Sequence, residues 1–138
     1  MFKGAGILYW KKENEKILIS LGKRTVNPHK GYWSVPGGKK EVYDRDFYEC
    51  GKREAKEEYF YNMESEFSKT VDLSFSKECP IFIPFLFEYH TFWVDVTGKD
   101  LNFSPNWEFE KIEWFETEHL PEKTHIGVYY ALFFYGLL

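Results

Sequence analysis

A double glycine leading into a carboxylate-rich segment constrains this chain more than any other feature. Pro36 is followed by Gly37 and Gly38, a pair that demands an irregular, close-approaching backbone. From about Asp46 to Asn62 the sequence is free of proline and has helical character. Asp46 is placed to cap that helix, with Glu49 three residues on at the capping-box spacing, although Asp replaces the usual Ser or Thr. On such a helix Glu54, Glu57 and Glu58 stand at i, i+3 and i+4, so they share one face. Three carboxylates packed together repel, and something positive should compensate them. Their hard oxygens suit a divalent cation, best Mg²⁺ with retained waters and substrate phosphates. The plain alternative for E-x-x-E-E alone is a solvated acidic face.

The surrounding order is more specific. Gly-Gly, a short loop and R-E-A-K-E-E resemble the signature of the Nudix hydrolases, G-x5-E-x7-R-E-U-x-E-E-x-G-U with U aliphatic. Gly38, Arg53, Glu54, Ala55 in the U slot, Glu57 and Glu58 stand in that order. Arg53 lies one residue too far from Gly38, so the loop carries an insertion, expected to bulge between Lys39 and Arg45. The loop glutamate is replaced by Asp44, or by Arg45 if the gap is placed earlier. The glycine after E-E-x is Phe60, which makes Asn62 the candidate for a left-handed helix end. Upstream, GYWSVPGG is similar to the G-x-W-x-x-P-G-G that precedes the box in this family. Downstream, Asn106, Glu108, Trp114-Phe115 and Leu120-Pro121 resemble its N-x-E-x5-W-F…LP stretch.

The resemblance covers essentially the whole chain and implies an α+β fold of the Nudix type, an α/β/α sandwich with a mixed β-sheet between helices. It implies a metal-dependent hydrolase that cleaves the diphosphate linkage of a nucleoside diphosphate derivative, either a nucleoside triphosphate or a nucleotide sugar. Glu54, Glu57 and Glu58 would hold Mg²⁺ (or Mn²⁺) with the Gly38 carbonyl. One of the three, or Glu108, would deprotonate the water, and Arg53 would orient a box glutamate. Glu108 has a second reading as a surface carboxylate. LGKRTVNPHKGYWSVPGG also looks like the matching stretch of GDP-mannose mannosyl hydrolases, but those depart from R-E-U-x-E-E, which this chain keeps. A non-catalytic Nudix-fold nucleotide sensor is the other alternative, and the three retained glutamates argue against it.

The rest of the chain supplies strands, a core and a candidate phosphate contact. Gly4–Trp10 and Ile17–Gly22 read as neighbouring strands joined by a polar turn at residues 11–15. Among Lys23, Arg24 and Lys30, Arg24 and one lysine are candidates to touch phosphate, as is Lys39 in the loop; surface solvation is the other reading. Trp33 reads as core before base-stacking platform. Residues 66–76 alternate in the manner of a half-buried strand, while Pro80 and Pro84 place residues 81–84 at an edge or in a loop. Phe85–Val96 and Asn106–Phe115 follow as β-prone runs. A final apolar helix is expected over about Glu122 to Leu137, its surface read first as core and second as a homodimer face.

At 138 residues the chain fits one domain, residues 1–138, with a real core. With 21% aromatic residues, that core should be built from Phe, Tyr and Trp. A net charge of −4 does not suggest binding to nucleic-acid polymer or membrane, leaving a nucleotide-type small molecule as the partner. Cys50 and Cys79 without a C-x-x-C argue against a zinc site or a disulfide framework, with a Cys50–Cys79 pair left open. His29, His90, His119 and His125 form no spaced ligand set. With no signal peptide or apolar run of spanning length, cytoplasmic localisation is the expectation.

Overall fold

A computed structural model describes residues 1–137. Strand β1 (Phe2–Glu13) runs into β2 (Lys16–Arg24) through Asn14 and Glu15 alone, both at positive φ. That is the twist a two-residue hairpin turn requires, so both strands reach further than the polar residues at 11–15 suggested. Then come β3 (Trp33–Ser34), β4 (Gly37–Lys39), α1 (Phe47–Tyr59), α2 (Glu64–Ser68), β5 (Lys77–Ile83), β6 (Phe87–Asp95), β7 (Phe109–Glu116) and α3 (Ile126–Phe134). The sheet is mixed, in the order β3-β2-β1-β6-β5, with β4 on β1 and β7 on β2. Among the described strands, β1 and β6 pair in parallel and the other pairs are antiparallel.

Period-two alternation sorts the core into two layers. Ala5, Ile7 and Tyr9 of β1, with Phe92 and Val94 of β6, pack against Cys50, Ala55 and Tyr59 of α1. Leu8, Ile19, Leu21 and Trp93 face the other way, toward Val128, Ala131 and Leu132 near and on α3. The result is the expected sandwich with an aromatic core. Both cysteines are buried and free.

Asp46 caps α1 by accepting from the Glu49 amide at 2.9 Å. The other end differs from the expectation: the helix stops at Tyr59 with Phe60 as its cap, and Asn62, left-handed at φ 56°, belongs to the turn that follows. Residues 66–76, expected as a strand, instead form α2 and a series of turns. Glu66 and Thr70 are buried at helical spacing, and amides from Glu66 to Leu73 bond three or four residues back. The place beside β6 is filled by β5, with Pro80 in this edge strand. Helix α3 begins later than residue 122 because residues 123–125 first lie extended along β3: Trp33 donates to the Lys123 carbonyl and His125 to the Trp33 carbonyl.

Candidate active site

Strand β4 brings the double glycine onto β1, Gly37 opposite Gly6 and Gly38 opposite Ala5, and α1 crosses this pair. At Gly38 a Cβ would lie 2.6 Å from the Glu54 carboxyl carbon, so any side chain there would displace that carboxylate. At Gly37 a Cβ would lie 2.1 Å from the Tyr89 hydroxyl and 2.6 Å from the Ala5 carbonyl. The Gly37 amide donates to Glu58 Oε1 at 3.4 Å. The turn thus holds two glutamates, one against each glycine.

The loop between β4 and α1 turns at Val42 and Tyr43, and Asp44 is buried behind that turn. Asp44 accepts from the Glu41 amide at 2.8 Å. Arg53 forks onto it, Nε to Oδ1 at 3.0 Å and Nη2 to Oδ2 at 2.8 Å. The same guanidinium donates to Glu54 Oε1 at 3.0 Å and to the Lys39 carbonyl at 3.0 Å. Arg53 therefore fixes Glu54 with one hand and the loop with the other. Its hydrogen bonds to Asp44 hold that carboxyl below the usual range.

Glu58 is almost fully buried. Burial first, then the Glu54 carboxyl bonded to it and the charge of Glu108, push its pKa well up. Glu57 points outward, its side chain 56% exposed, with Arg53 Nη1 at 3.7 Å. Glu108 comes from the segment before β7, which is stitched to the end of α1: the Ser104 and Asn106 amides donate to the Tyr59 and Glu58 carbonyls. Asn106 Oδ1 then accepts from the Glu108 amide at 2.9 Å. Burial raises the pKa of Glu108; Arg24 opposes the rise, and Glu54 and Glu57 add to it.

Among the described residues no three His, Cys, Asp or Glu side chains already stand as a closed ligand set. What is present is buried Glu58 beside a partly buried Glu54, facing Glu108, with Glu57 at the rim. Carboxylates forced together in a dry place, beside a glycine that leaves them room, fit a hard divalent ion that keeps part of its water shell.

Next to this cluster lies a cavity of about 490 Å³, walled by Leu8, Val35, Phe87, Tyr89 and Val128 and edged by Arg24. Arg24 Nε is tied to the Pro28 carbonyl at 2.9 Å. Its Nη groups make no hydrogen bond among the described residues, and its charge is felt by both Glu108 and His125. Lys39 is not brought to the cavity; it is exposed and serves through its carbonyl. Lys40 is spent on the Asp44 carbonyl. Trp33 is core, edge-on to Phe115.

Two histidines that the sequence reading set aside as unspaced come together in the fold. His29 and His125 meet edge to face, 4.5 Å between ring centres, on the cavity wall. His125 Nδ1 accepts from the Gly127 amide at 2.9 Å, capping α3, so the neutral ring carries its proton on Nε2. Burial, with His29 and Arg24 close by, lowers its pKa. A histidine directly before an apolar helical run was the available signal.

A model of the NUDIX domain family matches residues 2–133. Among solved structures, a Nudix hydrolase from M. smegmatis, RenU, superposes with a TM-score of 0.71 at 18% identity, covering 94% of this chain and 80% of that one. A C. elegans Ap4A hydrolase in a binary complex gives 0.62 at 20% identity, covering 86% and 82%. A bifunctional NMN adenylyltransferase/ADP ribose pyrophosphatase from Francisella tularensis, complexed with AMP and a Mn ion, gives 0.62 at 18%, covering 88% and 35%. No curated protein sequence matches the chain.

Proposed function

The chain belongs to the NUDIX family, and from that premise we propose that it is a divalent-metal-dependent pyrophosphohydrolase of a nucleoside diphosphate derivative, a nucleoside triphosphate or a nucleotide sugar. The observation that carries this reading is Glu58, buried beside Glu54 and facing the charge of Glu108, a place where a bound cation would favour its charged form. Glu54, Glu57, Glu58 and the Gly38 carbonyl would hold Mg²⁺ or Mn²⁺. The ion supplies charge neutralisation at phosphoryl oxygens and a more acidic bound water.

The chain's own groups do the rest. Arg53 keeps Glu54 against the glycine turn, and its anchor on Asp44 makes that position rigid. Arg24, with Nη donors to spare at the cavity edge, suits a phosphate oxygen of the bound diphosphate. The apolar cavity takes the part of the substrate attached to it; its volume is within the range of about 300–1,000 Å³ typical of small-molecule sites. Glu108 is the candidate base, half-buried, with burial raising its pKa above the usual carboxylate range and so making it a better proton acceptor.

The deciding experiment measures phosphate or pyrophosphate release from a nucleotide panel with Mg²⁺ or Mn²⁺, wild type against Glu57→Gln. Wild type should turn over at least one substrate, and the variant should fall to background with an unchanged circular dichroism spectrum. Full turnover by Glu57→Gln on every substrate would sink the assignment.

A further inference from the structure

Helix α3 is apolar on every side, yet only one side is covered. From Ile126 to Phe134 it carries no charged residue. Val128, Ala131 and Leu132 are buried against the sheet. At 3.6 residues per turn, Ile126, Tyr129, Tyr130, Phe133 and Phe134 fall within about 140° of arc on the opposite side. All five are exposed, Ile126 by 76% and Phe133 by 72%. A surface helix ordinarily turns polar residues outward, and one that is apolar all round belongs in an interior or an interface.

The stripe does not end with the helix. Tyr130 donates to the Pro80 carbonyl of β5, and Tyr135 to that of Glu78, so α3 lies along the β5 edge. Ile83, on the α3 side of β5 with Ile81 and Cys79, leads to the β5–β6 turn, where Leu86 is exposed and Phe85 is 91% exposed. Scaled by their exposures, the five α3 side chains present about 500 Å² of apolar surface, taking roughly 200 Å² for a bare aromatic residue. With Ile83, Phe85 and Leu86 the total is about 900 Å² on the same scale. The largest apolar patch on an ordinary monomer is about 300–600 Å², whereas each partner in a standard interface contributes about 800 Å².

We infer that this face is an interface between two copies of the chain, with α3 packed on α3 across a two-fold axis. Such a contact sets the same patch against itself, which an uncharged stripe satisfies. Each copy carries a net charge of −4, and association through α3 keeps like charges out of the contact. A lipid surface is the poorer match, because interfacial helices carry Lys and Arg beside the apolar face and α3 has neither. Ile126 belongs both to the stripe and to the cavity wall, so the second copy stands at the rim of the cavity.

Sedimentation equilibrium tests this over micromolar to submillimolar protein. Wild type should run at twice the monomer mass, and Ile126→Glu with Phe133→Glu should run as a monomer with its melting temperature retained. Should the double variant fail to fold, Phe133→Ser is expected to raise the monomer–dimer midpoint by about tenfold or more, as loss of a central aromatic contact does. A wild type that stays monomeric throughout overturns the inference, including the case in which it instead pellets with phosphatidylcholine vesicles. A dimer whose midpoint neither substitution moves overturns it too.

Discussion

Replacing Gly38 by alanine should remove activity and spare the fold, while the same change one residue earlier should do the opposite. Gly38 is not at positive φ, so alanine is tolerated by the backbone. Its Cβ would stand 2.6 Å from Glu54 Cδ and Oε1 and 2.9 Å from Oε2, where ordinary contact begins at 3.4 Å. The Glu54 carboxylate must therefore retreat by about 1 Å, and a displacement of that size costs about 10²-fold in rate. The retreat is cheap for stability, because a flexible side chain yields and what it disturbs is its bonds to Arg53 and Glu58, at about 1 kcal/mol each. At Gly37 the new Cβ would meet the Ala5 carbonyl at 2.6 Å and the Gly6 Cα at 2.9 Å as well as the Tyr89 hydroxyl. Backbone of β1 cannot step aside, so β4 would be pushed off it, at about 2–3 kcal/mol. Steady-state hydrolysis with saturating metal, run beside urea unfolding, separates the two. Gly38→Ala with kcat within threefold of wild type, or Gly37→Ala with unchanged unfolding, would refute the packing argument.

Glu108→Gln should lower kcat by about 10²–10⁴-fold with little change in KM, since a proton-transfer group would be lost; a kcat within about threefold would return the base to the box glutamates. Glu58→Gln should raise the metal-free melting temperature at neutral pH, because burial with Glu54 and Glu108 pushes the Glu58 pKa up to about 10 and a neutral amide removes the cost of protonating it on folding, and it should abolish the rise that millimolar Mg²⁺ gives wild type. A differential scanning experiment in which wild type gains nothing from Mg²⁺ or Mn²⁺ counts against a preformed site. Asp44→Asn should cost about 2 kcal/mol at neutral pH, from the loss of the charged Arg53 fork. The Asp44 pKa is held below its ordinary 3.8 in the folded chain, so this stabilisation is present above about pH 4 and lost as pH falls through the depressed value. Urea titrations should show the gap between wild type and variant close on acidification from pH 4 downward; a gap that persists at the acid end assigns the loss to packing.

The start of α1 and its carboxylate face were legible because both are local: Asp46 caps the helix from three residues away, and the glutamates share a face by helical spacing alone. Its far end was not, because the helix stops at Tyr59 with Phe60 as its cap and the Glu58 and Tyr59 carbonyls are met by the Asn106 and Ser104 amides, not by a left-handed Asn62. Asp44 was legible as one of two stand-ins for the loop carboxylate, Asp44 or Arg45. The choice between them required knowing that Arg53 reaches it with both Nε and Nη2, a tertiary fact. The sheet followed from alternation where strands have one core face each, as in β1 and β2.

Alternation misled at residues 66–76, where apolar positions were read as one face of a strand. Glu66 and Thr70 are the buried pair there, and Phe67 packs on Phe60 from a helical turn. The decision was made elsewhere in the chain, since the open edge of β6 accepts one partner and β5 fills it. The histidine pair at the cavity was hidden for the same reason, being brought together only when residues 123–125 lie along β3. Glu108 falls between these cases. Its sequence context marked it as a loop residue entering a strand, but its relevance depends on the Ser104 and Asn106 amides closing the unsatisfied carbonyls at the end of α1. Those carbonyls belong to Tyr59 and Glu58, so the helix that carries the carboxylates proposed to hold metal also anchors the segment that carries the candidate base. Any shift of α1 then moves both sets together, which keeps their spacing.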